Sequence, residues 1–338
     1  MTMRRYAGLT AAGLTVLLLM ACGTQNPGPA GPPSPPGDLL DAAYAKVIGG
    51  EPAADGPVAG VRRAFDPAQA LLIGPTYATR YDWTATTDRL TVDDATRLGF
   101  PRPVAAPAGQ EIFLAHVAER QPGTLNIPAD FPGATANLLV DGHPRPLDGA
   151  APDPERTLVA VVPKGAPIAL AVTDQGRTQT LDLRTGQRAA DAVDLFYHPF
   201  AGDEIELRSV GGGGNLVLHG PLRLVPWTPK DGWAPAGQAF AVLDTSLQRY
   251  SGHVTDSTLD ARRSFTLVAG GHAYPAQARA LPLYEFGTTG GSGTLIAFAV
   301  PPTVRTGTIR LTPHAASCAG CRFGPGASAS FTLAAATP

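Results

Sequence analysis

Proline or glycine interrupts nearly every stretch of this chain long enough to make a helix, for its 338 residues include 39 Gly and 34 Pro. Proline removes a backbone donor and clashes with the preceding turn, and glycine carries the largest backbone entropy, so neither suits a helix interior. Beyond the N-terminal apolar run, no window of twelve or more residues carries apolar side chains at i, i+3 and i+4. Such punctuation permits short strands joined by tight turns. No Gly-X-Y period is present, which excludes a collagen, and a hydrophobic content of 44% is enough to build a packed core. The length fits about two domains of roughly 100–200 residues each. With 26 basic against 28 acidic residues, the chain has no electrostatic footprint for nucleic acid.

The sequence repeats itself. Pro107-Ala108-Gly109-Gln110 recurs as Pro235-Ala236-Gly237-Gln238, and the landmarks after it recur in the same order. The segment from Glu111 to Gly123 aligns with Ala239 to Gly252, Asp141 to Pro146 with Gly270 to Pro275, and Thr157 to Pro163 with Thr294 to Pro301. Arg97-Leu98 and Arg223-Leu224 precede the two PAGQ segments at similar distances. Within the first copy, Ile112 and Leu114 alternate with Phe113, Ala115 and Val117, and Phe240 and Val242 take the corresponding places in the second. The runs Leu158 to Val162 and Leu295 to Val300 are apolar throughout, as central strands are. Asp141-Gly142 and Gly270-Gly271 read as two-residue hairpin turns, and Asp174-Gln175-Gly176 as a third. The expected fold is all-β: two tandem sandwiches, over residues 61–190 and 191–338, preceded by a signal peptide and a linker.

Residues 1–22 have the parts of a secretory signal, with Arg4 and Arg5, an apolar run from Ala7 to Met20, and small residues at the cut site. Leu19-Met20-Ala21-Cys22 resembles the lipobox of bacterial lipoproteins. That resemblance implies a diacylglycerylated Cys22 as the mature N-terminus, and a membrane partnership through lipid on the extracytoplasmic face. Residues 23–60 open with GTQNPGPAGPPSPPG and read as a flexible Pro/Gly-rich linker. Basic residues comprise 23 Arg but only 3 Lys, the bias of a GC-rich genome such as an actinobacterium's. The second repeat resembles the immunoglobulin-like domains of secreted bacterial lipoproteins. The matching residues are Phe240 to Thr245, Phe265-Thr266-Leu267-Val268 leading to Gly271 and Tyr274, and Phe298-Ala299-Val300-Pro301. The resemblance implies an interaction domain without defined chemistry, and the Cys-Trp-Cys signature of antibody domains is missing from both copies.

Besides Cys22 the chain has only Cys318 and Cys321, in a stretch from Pro313 to Gly326 that is longer than its counterpart in the first copy. In an oxidising compartment the simplest reading is a disulfide; a redox pair, or a thiolate metal site joined by His314, are the other two. The seven histidines, His116, His143, His198, His219, His253, His272 and His314, show no metal-ligand spacing, and His143 and His272 follow equivalent turns. Asp93-Asp94 opens no calcium loop, Gly290-Gly291-Ser292-Gly293 is no nucleophile elbow, and the run Gly211 to Gly214 leads into a strand rather than a helix. No catalytic, cofactor or metal residue is assigned. Trp227 and Trp233 lie in a Pro/Gly loop, where they either form an exposed rim for a glycan or an envelope protein, or plug the end of the sandwich or the seam between the copies with Phe196, Tyr197 and Phe200. The leading expectation is a lipid-anchored binding or structural protein of the cell envelope. The alternatives are an enzyme acting on envelope glycan or peptide, and a metal or redox protein using Cys318 and Cys321.

Overall fold

The structure, a computed structural model, describes residues 37–119, 133–148, 156–190, 193–211, 214–245, 247–250, 258–277, 280–282, 294–317 and 322–336. They are almost entirely strand and turn, and the sheet pairings are antiparallel save for that of Asp38–Leu39 with Val104–Ala105. The main strands of the first half are β1 (Ala45–Gly49), β2 (Leu71–Ile73), β3 (Ala78–Thr87), β4 (Gln110–Glu119), β5 (Thr135–Val140), β6 (His143–Leu147), β7 (Arg156–Pro163), β8 (Ile168–Asp174), β9 (Arg177–Asp182) and β10 (Gln187–Arg188). Those of the second are β11 (Phe200–Gly211), β12 (Gly214–Val225), the ribbon β13 (Trp227–Thr228) and β14 (Gly232–Trp233), β15 (Ala239–Thr245), β16 (Phe265–Ala269), β17 (His272–Pro275), β18 (Thr294–Val300), β19 (Thr306–Leu311) and β20 (Ala327–Thr332). Two short helices matter below, α1 (Val92–Arg97) and α2 (Asp194–Tyr197).

The two halves share one strand order. In the first, β7-β4-β3 forms the centre of one sheet and β6-β5-β8-β9 the other; in the second, β18-β15-β12 and β17-β16-β19-β20 take those places. Each half encloses its own core. Phe113, Ala115 and Val117 of β4 face Leu138 and Leu170 of the opposite sheet, and Ala239, Ala241 and Leu243 of β15 face Leu267 and Ile309. The aligned turns match in geometry as well. The N–H of Gln110 donates to the Pro107 carbonyl at 3.0 Å and that of Gln238 to Pro235 at 2.9 Å. Gly109 and Gly237 sit at φ of 78° and 74°, the left-handed third position of a type II turn. One aligned pair is not equivalent: Arg97-Leu98 closes α1, whereas Arg223-Leu224 lies within β12. The counterpart of β12 by strand order is β3.

The central strands are buried on both faces. Ile112 and Leu114 turn away from the inner core of the first half into a second cluster with Trp83, Leu90, Ala95, Leu98 and Val104. Phe240 and Val242 do the same in the second half, packing on Val225, Ala234 and Ala297. The outer face of the first half is covered by chain that includes residues 37–60, so the expected linker over 23–60 needs correction in its second part. Ala45–Gly49 pairs with β7, and the buried carboxylate of Asp94 accepts the Ala53 N–H at 3.0 Å. Asp94 is held in turn by Thr91, whose hydroxyl donates to its Oδ2 at 3.0 Å and caps α1. Low sequence complexity alone does not leave a segment unpaired when a buried polar group anchors it.

β12 changes partner midway, pairing with β15 through Leu222–Val225 and with Leu247–Tyr250 through Leu216–His219. Gly220-Pro221 fills the gap, and a Cβ on Gly220 would sit 1.8 Å from the Asp244 carbonyl oxygen. Gly220→Ala is therefore expected to cost about 3 kcal/mol, because two backbones must separate. Gly109→Ala, with open space but a positive φ, should cost only about 1–2 kcal/mol. Equal denaturant midpoints for the two variants would remove Gly220 as a packing constraint.

Candidate functional site

The tryptophans expected as either rim or plug turn inward. Trp227 is 2% exposed and pairs across the ribbon with Trp233. Trp233 is half-buried, and its indole N–H donates to the Gln175 carbonyl at 2.7 Å, reaching the β8–β9 hairpin of the first half. The Arg177 guanidinium lies 4.3 Å from the Trp233 ring centroid, and Phe196 meets the same indole edge-on at 6.1 Å. These contacts correct the exposed-rim reading of Trp227 and Trp233. Amphipathic indoles bury their apolar body and spend the N–H on a partner, which is what a seam needs.

The rest of the seam is a buried polar network that no sequence spacing announces. The Tyr197 hydroxyl accepts the Ile73 N–H at 3.1 Å and donates to Gln179 Oε1 at 2.9 Å. The Gln179 amide donates to the Ile73 carbonyl at 2.7 Å and to Tyr77 Oη at 3.1 Å, while its Oε1 also accepts the Val193 N–H at 3.1 Å. Arg188 lies 4.0 Å over the Tyr197 ring and bonds the Gln69 carbonyl at 3.1 Å. Gln179 thus serves β2, β9 and α2 at once with its polar atoms satisfied, the condition under which a buried network rigidifies rather than destabilises.

Beside this seam lies a cleft of about 410 Å³. Arg177 and Arg305 line it with Asp194, Phe200, Gln238 and Thr303. The Arg305 guanidinium is 3.4 Å from the Phe200 ring centroid, and its Nη1 donates to the Pro302 and Val304 carbonyls at 2.8 Å each. Asp194 Oδ1 pairs with His198 Nδ1 at 2.7 Å. Arginine stacked on an aromatic face keeps its fork in one plane, ready for a planar anion. Arg177 and Arg305 escaped the sequence reading because each follows a turn, Asp174-Gln175-Gly176 and Pro301-Pro302, and belongs to no spaced motif.

The histidines stand apart. His116 is buried, bonds Asp82 at 2.9 Å and stacks flat on Trp83 at 5.4 Å, and the Arg62 guanidinium lies 4.2 Å from the Trp83 ring centroid. Among the described residues no hydroxyl or thiol bonds His116. His219 pairs with Glu204 at 2.7 Å, His143 and His272 sit exposed after their turns, and the His314 N–H donates to Ser264 Oγ at 2.9 Å. No group of three metal-ligating side chains occurs among the described residues. Cys22, His253, Cys318 and Cys321 lie outside them. Comparisons with protein-family models, curated proteins and solved structures give no match.

One ionisable group at the turn beside the seam is under tension. Asp174 is 2% exposed; one oxygen accepts the Thr76 N–H at 2.7 Å, while Oδ1 has no partner among the described residues. Burial pushes its carboxyl above the ordinary value of 3.8, against the bonds that favour the anion. The folded state then holds the proton more tightly than the unfolded chain, so stability falls as pH rises from about 3.8 through the raised value. Asp174→Asn, which keeps the acceptor for Thr76, is expected to flatten that part of the thermal melt profile against pH. An unchanged slope in the variant would place the dependence on another group.

Proposed function

We propose that this chain is a lipid-anchored, extracytoplasmic binding protein of a bacterial envelope, in which two immunoglobulin-like sandwiches are carried on a Pro/Gly stalk. The cleft beside the seam carries the reading. It holds arginine forks on aromatic faces within the size range of ligand sites, roughly 300–1,000 Å³. The lipobox-like Leu19-Met20-Ala21-Cys22 supports the anchor, and the Pro/Gly segment after it supports a spacer between lipid and body. Its partners are then the membrane, through the lipid on Cys22, and an envelope glycan or protein in the cleft. Cys22→Ser should shift the protein from the membrane fraction to the soluble fraction of cells, and mass spectrometry of the parent should find an acylated N-terminal Cys22. A Cys22→Ser protein that stays membrane-bound would defeat the anchor.

The second half has a longer connection between β19 and β20 than the two-residue turn between β8 and β9, and Cys318 and Cys321 fall within it. A disulfide there closes the excursion in an oxidising compartment. Alkylation of the purified protein should label neither cysteine until reductant is added; two labelled thiols without reductant would refute the bridge.

A further inference from the structure

Two cavities are lined by arginine pairs, and they differ in how those cations are used. In the smaller, of about 250 Å³, Arg184 is committed to Glu111 at 2.6 Å and to the Ala166 carbonyl at 2.6 Å, and Arg63 to the Arg184 carbonyl at 3.0 Å. In the cleft beside the seam, the Arg177 guanidinium rests on Trp233 and bonds no acceptor among the described residues. Arg305 spends Nη1 on two carbonyls, while its Nε and Nη2 have no acceptor among the described residues.

The charge of this cleft sets the valence of what fits it. The two guanidinium groups and the single carboxylate of Asp194 that line it leave one net positive charge. One carboxylate balances that; a dianionic phosphate overshoots it. The walls add a shape. Pro235, Ala236 and Pro302 offer apolar surface to the C–H side of a sugar ring, and Gln238 and Thr303 offer neutral groups that both donate and accept, as hydroxyls require. Stacking on Trp233 and Phe200 holds both forks before any ligand arrives, which lowers the ordering cost of binding.

We infer that the cleft binds a carboxylate-bearing sugar, a uronate unit of an acidic glycan, with Arg177 and Arg305 on the carboxylate and the apolar walls under the ring. This rests on the binding-protein reading above and names its ligand class. The test is calorimetric titration of the full chain in detergent with tri-galacturonate, a neutral galactose trisaccharide and inorganic phosphate. Tri-galacturonate is expected to bind at least about tenfold more tightly than the other two. Arg177→Gln and Arg305→Gln are each expected to weaken it about tenfold, and Arg305→Lys nearly as much, since lysine keeps the charge but loses the fork. Arg177→Gln decides if Arg305→Gln does not fold, because Arg177 makes its stack on Trp233 and no hydrogen bond among the described residues. Phosphate binding as tightly as tri-galacturonate, or affinity unchanged in both variants, overturns the uronate assignment and leaves the broader reading standing. If none of the three probes binds, and Arg177→Gln also leaves the retention of envelope glycan by the immobilised protein unchanged, the broader reading falls with it.

Discussion

Strands that are apolar on both faces govern this molecule. β4 and β15 each sit at the centre of a sheet, and each must bury one row of side chains toward the facing sheet and a second row away from it. A two-layer sandwich covers only the first row. At about 25 cal/mol per Å² of apolar surface, leaving Ile112 and Leu114 or Phe240 and Val242 in water would forfeit several kcal/mol in each half. The outer clusters answer that need: α1 and the chain before it in the first half, and Val225 and Ala234 at the two ends of the ribbon in the second.

The inner architecture was legible because period-two alternation and turn chemistry are local. Asp141-Gly142 and Gly270-Gly271 both take the left-handed pair of a type I′ hairpin turn, and the two PAGQ segments close with the same bond. The outer layer was less legible, since its elements are short and owe their place to single buried groups. Thr91-Val92-Asp93-Asp94 carries an N-cap signal, but one turn of helix gives no periodicity to accompany it. The function of Asp94, holding Ala53 forty-one residues away, leaves no trace in spacing at all. For the same reason a low-complexity stretch passed for a spacer up to residue 60.

The candidate site shows the limit more sharply. Trp227 and Trp233 drew notice as large side chains in a breaker-rich loop, and the loop matters, yet for its N–H and ring faces rather than for exposure. Gln179 and Arg177 of β9, Tyr197 of α2 and Arg305 of the loop before β19 come from three separate elements or loops, and only the fold brings them to one end of the seam. Convergence of that kind depends on strand order, which a single sequence carries only through its repeats.

The shared strand order of the halves creates a hazard that the outer layer answers. Two sheet pairs of like topology in one chain invite a strand of one to dock into the other during folding, a failure characteristic of repeated domains. The rows themselves differ: Phe113 and Ala115 stand where the second half has Ala241 and Leu243, and Ile112 and Leu114 fit a helix-bearing cover whereas Phe240 and Val242 fit Val225 and Ala234 at the two ends of the ribbon, so an exchanged strand would meet the wrong neighbours. The covers therefore serve as an address label that tells each strand which half it belongs to.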